Sequence, residues 1–236
     1  MKFGHYSDNE IPKQEVIGYN VNSHGYRCEE FYPLPDGGKN TVVLGCSHTF
    51  GIGLDHDETW VNALARRCSN TPLRFWNLGT PGASCDRLVR TLYSCEKVLY
   101  PKVIIMCWPS FSRRERLEVH TENLTSDNRL LATETDETDK NNLLKNVFLT
   151  EKFAEHTGAK VFHCFAEEAY LLPNKNSLHE TTLRQCWPQW DSHHLPDAKR
   201  EVIKEPSLAK DGLHYGKEHH ETFAEKFYNK FGLKLK

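Results

Sequence analysis

Two short stretches hold residues whose types and spacing suit chemistry. The first spans residues 41–53, TVVLGCSHTFGIG. Four strand-forming residues run into Gly45, and Ser47 follows with His48 beside it and Gly51 and Gly53 close behind. A strand that breaks at glycine and hands a hydroxyl to a helix start presents a nucleophile where unpaired helix amides stabilise an anion. The second stretch is Asp211-Gly212-Leu213-His214. A serine hydroxyl holds almost no alkoxide at neutral pH and needs a base, for which imidazole has a suitable pKa. An aspartate three residues before the histidine, on a turn, can hold the ring from its other side, fix its tautomer and stabilise the imidazolium. A serine after a strand is more commonly only a helix N-cap. It is the pairing with the Asp–His turn that makes Ser47, His214 and Asp211 candidate nucleophile, base and orienting carboxylate.

These residues need a frame, and the hydrophobic pattern supplies one. Apolar runs at 41–46, 73–78, 102–107 (KVIIMC) and 160–165 (KVFHCF) read as strands, the third buried on both faces. Helical spacing is expected around 57–68 through Trp60, Val61, Leu64 and Ala65, and around 84–99 through Leu88, Leu92, Cys95 and Leu99 behind an N-cap at Ser84. Further helices are expected over 141–156, closed by Gly158, and over 217–230 with Phe223, Phe227 and Tyr228 facing the core. Strand and helix alternate, so one parallel sheet covered on both faces is predicted, with sites at the carboxyl ends of its strands. Residues 1–40 are irregular, although Asn22-Ser23-His24-Gly25-Tyr26-Arg27 reads as a shaped turn. Two excursions, 112–140 and 166–210, are weakly patterned and are expected near the site, either solvated or closing over it.

Composition narrows the class. The 236 residues suffice for a single large α/β domain spanning 1–236, and there is no internal repeat. The formal net charge of -2 gives no reason to expect nucleic acid or an anionic membrane as partner. No run approaches a membrane span, and the N-terminus lacks the apolar stretch of a signal peptide. Eight cysteines scattered singly suit a reducing compartment, so a cytoplasmic location is expected. The acidic run Asp55-His56-Asp57-Glu58 is adjacent in sequence on a loop and lacks a second ligand cluster, so no metal and no other cofactor is expected. The Gly-x-Ser-x-Gly elbow is missing because Thr49 stands at its second glycine.

Taken together, GCSHTFG resembles the first block of the SGNH (GDSL-type) hydrolases, with Cys46 where that family usually has aspartate. NLGTPGAS, residues 77–84, resembles its second block, DGLH its terminal one, and NSHGYR a segment that precedes the serine block in some members. The resemblance implies a three-layer α/β/α sandwich with a central parallel sheet of flavodoxin-like order. It also implies an oxyanion hole formed by the amides of Ser47 and Gly82. The family's third block offers an asparagine after the third strand. Here that segment reads Cys107-Trp108-Pro109-Ser110-Phe111, and Ser110 is the nearest donor.

The activity implied is cleavage of a small O-acyl ester through an acyl-enzyme, with carbohydrate deacetylation the best single guess at substrate. Alternatives are a non-catalytic binding or assembly protein on the same fold, favoured by the missing asparagine, and an O-acyltransferase. Candidate substrate contacts are His48, Trp108, Arg113 and Arg114, with Trp187 and Trp190 as further sugar-stacking surfaces.

Overall fold

In a computed structural model the chain is described over residues 18–32, 37–115, 123–124, 135–166, 172, 176–178, 180–183, 186 and 207–235. The strands are β1 (Lys39–Leu44), β2 (Leu73–Asn77), β3 (Val103–Trp108), β4 (Arg114–Glu115), β5 (Asn123–Leu124) and β6 (Lys160–Phe165). Four of them form a sheet in the order β2-β1-β3-β6, and β4 pairs with β5 in a separate antiparallel ladder. All pairings in the larger sheet are parallel, with Val43 opposite both Asn77 and Ile105, and Cys107 opposite Cys164. This is the expected flavodoxin-like order. Its direction of winding reverses between β1 and β3, which opens a crevice beyond their carboxyl ends.

The helices are α1 (Ser47–Phe50), α2 (Trp60–Arg67), α3 (Cys85–Leu99), α4 (Asp136–Thr157) and α5 (Lys217–Leu235). Right-handed crossovers in opposite directions from β1 and β2 put α2 and α3 on opposite faces of the sheet. There α2 packs against α5 and α3 against α4, which completes the three layers. β3 is buried at every position, as a central parallel strand requires. Aromatic rings fill the α2–α5 layer: Trp60 meets Phe223 edge-on at 5.2 Å, and Phe162 of β6 packs on Phe231 at 5.2 Å.

Several boundaries differ from the sequence expectation. The helix expected from 141 begins at Asp136, capped by a reciprocal Thr135–Thr138 box. The acidic residues Asp136, Glu137 and Asp139 that read as solvated chain occupy its first turn, where the helix dipole favours negative charge. The last helix runs on to Leu235, burying Phe231, while Tyr228 is only half-buried. The helix expected over 57–68 splits into a 3-10 turn, His56–Glu58, and α2, whose N-cap Thr59 accepts the Asn62 N–H. Within 166–210, residues 176–178 lie beside β6 through a parallel bridge between Ser177 and His163.

All eight cysteines are free, and all but Cys28 are buried. Burial pushes the thiols of Cys28 and Cys95 up to about 12, so they stay protonated and unreactive at neutral pH. Among the described residues no helix is long and apolar enough to cross a membrane.

Candidate active site

β1 ends at Leu44, and the chain turns at Gly45 into α1, whose first residue is Ser47. Gly45 is required by crowding: a Cβ there would collide with the Thr49 side chain and stand 3.2 Å from the Cys107 carbonyl of β3. The end of β2 braces the turn. Thr80 N–H donates to Gly45 O at 2.9 Å, and Asn77 Nδ2 donates to Thr49 O at 2.8 Å while its Oδ1 accepts Gly79 N–H at 3.0 Å. A Cβ on Gly79 would run into the Phe50 amide and lie 2.7 Å from the Thr49 carbonyl carbon. The second sequence block therefore fits against the first by hydrogen bonds that demand Asn77 and by space that demands glycine.

The Asp211–His214 turn is closed by an antiparallel bridge between Leu208 and Tyr215, with Ala209 N–H donating to His214 O at 2.8 Å. Asp211 Oδ2 lies 2.5 Å from His214 Nδ1, and its Oδ1 accepts the backbone N–H groups of Leu213 and His214 at 3.1 and 3.0 Å. Burial pulls the Asp211 carboxyl upward, but the backbone and ring hydrogen bonds from His214 and the Leu213 amide outweigh it. The group is held below the ordinary carboxylate value. An ionised carboxylate at Nδ1 fixes the proton there and leaves Nε2 as the basic nitrogen.

This turn is docked onto the stretch that follows α1. Lys210 N–H donates to Gly53 O at 2.9 Å, and Lys210 Nζ pairs with Asp55 Oδ1 at 2.6 Å. On the side nearer the serine, the His48 ring meets the His214 ring edge-on at 5.3 Å and stacks on Tyr215 at 4.6 Å. Tyr215 in turn stacks on His219 at 5.1 Å. The residue after Ser47 is thus in ring contact with His214. His219 is driven down to about 4 by burial and by the nearby His48, so it is neutral through most of the physiological range.

The remaining sequence candidates fall out differently. Gly82 has φ +70°, and among the described residues its N–H makes no hydrogen bond. Ser110 Oγ lies 3.1 Å from Ser112 Oγ. Trp108 is a correction: it is fully buried, its Nε1–H donates to His163 Nδ1 at 3.1 Å, and it stacks on that ring, so it offers no face to a sugar. His163 is held by Glu151 at 2.9 Å, which makes Trp108 the buried end of a polar chain that reaches the surface at Glu151. Arg114 is likewise committed, donating to Phe111 O at 2.7 Å and pairing with Asp139 at the start of α4. Arg113 is half-buried beside it. Trp187 and Trp190 lie outside the described residues. The run 55–58 is spent on capping, where Asp55 and Glu58 close a reciprocal box on the 3-10 turn. No group of three or more His, Cys, Asp or Glu among the described residues is arranged to hold a metal ion.

Sequence reasoning missed the ring column of Tyr215 and His219, because its partner His48 is remote in the chain. Arg27 reads in the sequence as the end of the NSHGYR turn segment, with no role of its own. Its guanidinium is buried and donates to three carbonyls behind Ser47: Phe50 at 3.2 Å, Gly51 at 2.5 Å and Leu54 at 2.6 Å.

No family model matches the sequence, and no curated protein sequence does. Solved structures do match. EstA, a psychrotrophic esterase from Pseudoalteromonas sp. inhibited by monoethylphosphonate, is 16% identical at TM-score 0.48, with 84% of this chain and 98% of that one covered. A lipolytic protein of the G-D-S-L family from Desulfitobacterium hafniense is 15% identical at TM-score 0.46, over 80% and 97%. The family 3 carbohydrate esterase of Clostridium thermocellum is 13% identical at TM-score 0.48, over 84% and 97%. One further chain reaches TM-score 0.50 at 12% identity, over 84% and 99%. The likeness is one of fold. The neighbours include G-D-S-L lipolytic proteins and esterases, and the strand order found here is the one that the resemblance of the sequence blocks implied.

Proposed function

We propose that the protein is a serine esterase that cleaves a small O-acyl ester through an acyl-enzyme. The observation that carries this reading is the Asp211–His214 pair, bonded at 2.5 Å and docked by Lys210 and His48 against the turn that bears Ser47. Ser47 Oγ attacks the ester carbonyl as His214 Nε2 takes its proton. The imidazolium is stabilised by Asp211 and returns the proton to the departing alcohol. The free N–H groups of Ser47 and Gly82 receive the oxyanion. Water then repeats the sequence in reverse, releasing the acid. Deacetylation of a carbohydrate is the narrower form of the reading.

Mass spectrometry after treatment with a fluorophosphonate tests the nucleophile. The expected result is one adduct, on Ser47, that is absent from Ser47→Ala. Acetate release from acetylated oligosaccharides, set against p-nitrophenyl butyrate hydrolysis, tests the narrower form.

A second reading, a non-catalytic binding protein on this fold, draws on one observation: the third-block position carries Ser110, whose hydroxyl lies within reach of Ser112. Loss of one oxyanion donor costs about 10²–10³ in turnover. A folded protein that takes no fluorophosphonate would favour this second reading.

A further inference from the structure

α1 is one turn long, so almost none of its carbonyls finds a helical partner, and the turn that follows carries two left-handed glycines, Gly51 and Gly53. A segment this short has little intrinsic stability. It is nevertheless buried, and something other than its own ladder must hold it. Arg27 does so from outside. Its Nη1 spans Phe50 O and Gly51 O, its Nη2 reaches Leu54 O, and its Cζ lies 4.7 Å from the Tyr19 ring centroid and 5.5 Å from that of Phe50. Tyr19 Oη accepts the Gly53 N–H at 2.7 Å, so both side chains grip the same loop.

That loop is also the bed of the acid–base turn. Gly53 O accepts the Lys210 amide, and a Cβ on Gly53 would stand 2.6 Å from Ala209 Cβ and 3.0 Å from Asp211 Oδ1. The loop therefore touches Ser47 at one end, through α1, and Asp211 at the other.

We propose that Arg27 is a positioning residue that sets Ser47 and the Asp211–His214 turn in one register by fixing the loop between them. It touches neither substrate nor the reacting atoms. This rests on the serine-esterase reading for its catalytic consequence. The chemistry asks for arginine in particular: a planar fork reaches three carbonyls at once, whereas a lysine ammonium is a single point of donation.

The test uses Arg27→Lys and Arg27→Ala in the full chain, each checked for a cooperative melt above the assay temperature. For p-nitrophenyl acetate, kcat should fall about a hundredfold, the cost of a misplacement near 1 Å, with KM little changed. Millimolar guanidinium should return part of the kcat of Arg27→Ala. The downfield proton NMR signal of His214 Nδ1–H should shift or broaden in both variants. Should Arg27→Ala fail to fold, Arg27→Lys carries the same two readouts. Folded variants with wild-type kcat and an unmoved downfield signal would overturn the proposal. If the wild type shows no Ser47-dependent hydrolysis, the esterase reading fails, and the NMR signal still decides the role of Arg27.

Discussion

Asp211 holds His214 through both of its carboxylate oxygens: Oδ2 stands 2.5 Å from the ring Nδ1, and Oδ1 accepts the backbone N–H of the same residue at 3.0 Å. The ring is fixed in tautomer and in direction by a single side chain three residues away. Asp211→Asn keeps the shape and removes the charge. A fall in kcat of about 10⁴ is expected, with KM little affected, as measured with any ester that wild type turns over. Because the Asp211 carboxyl is held below its ordinary value, the stability it contributes is present above that value and is lost as pH falls through the lower one.

Two glycines flank Asp211 in space and in sequence, and they should respond differently. Gly53 (φ +77°) faces Ala209 and Asp211 at close range, whereas Gly212 (φ +69°) has open space around it. Gly212→Ala should cost only the left-handed strain, about 1–2 kcal/mol, read by chemical denaturation. Gly53→Ala should cost more than this and, on the esterase reading, should also lower kcat, because the new methyl group pushes the Asp211–His214 turn away from α1. Equal effects on both quantities would count against the docking described above.

The frame of the molecule was legible in the sequence where one physical signal dominated. KVIIMC and KVFHCF are continuous apolar runs, and the stripe Leu88, Leu92, Cys95, Leu99 is buried as spaced. Asp211 and His214 were legible because their partnership is local. The first turn of α4 was not, since TETDETDK has the composition of solvated chain and only the Thr135–Thr138 box and the helix dipole make it a helix start. Trp108 was misread as a sugar platform because a tryptophan at a strand end looks the same whether it faces solvent or a buried histidine. His48, Tyr215 and His219 form their column only once α1 meets the start of α5.

Trp108→Phe should show that this tryptophan serves the scaffold. It leaves His163 Nδ1 buried without its donor and is expected to cost about 1–3 kcal/mol of stability, read by chemical denaturation. KM for any ester that the wild type turns over should not change.

Acid should loosen the helix layer through its buried histidines. His219 is neutral in the fold down to about 4, whereas the unfolded chain takes up that proton near 6.5. Between those values the unfolded state binds more protons, so stability rises with pH and is lost as pH falls from 6.5 towards 4. His220, whose buried Nδ1 accepts the Trp60 N–H at 3.0 Å, is also pushed down by burial and acts in the same direction. Thermal melts of His219→Phe should show a shallower slope over that window than wild type. An identical slope would exclude His219 as a source of the acid sensitivity.

The esterase reading turns on Ser47 as the proposed nucleophile. Hydrolysis of p-nitrophenyl acetate by wild type and Ser47→Ala, at matched folded concentration, tests it most directly. The expected result is a Ser47-dependent rate that falls by about 10⁴–10⁶ in the variant. Equal rates from the two proteins would contradict Ser47 as the nucleophile and would move the assignment to the binding protein.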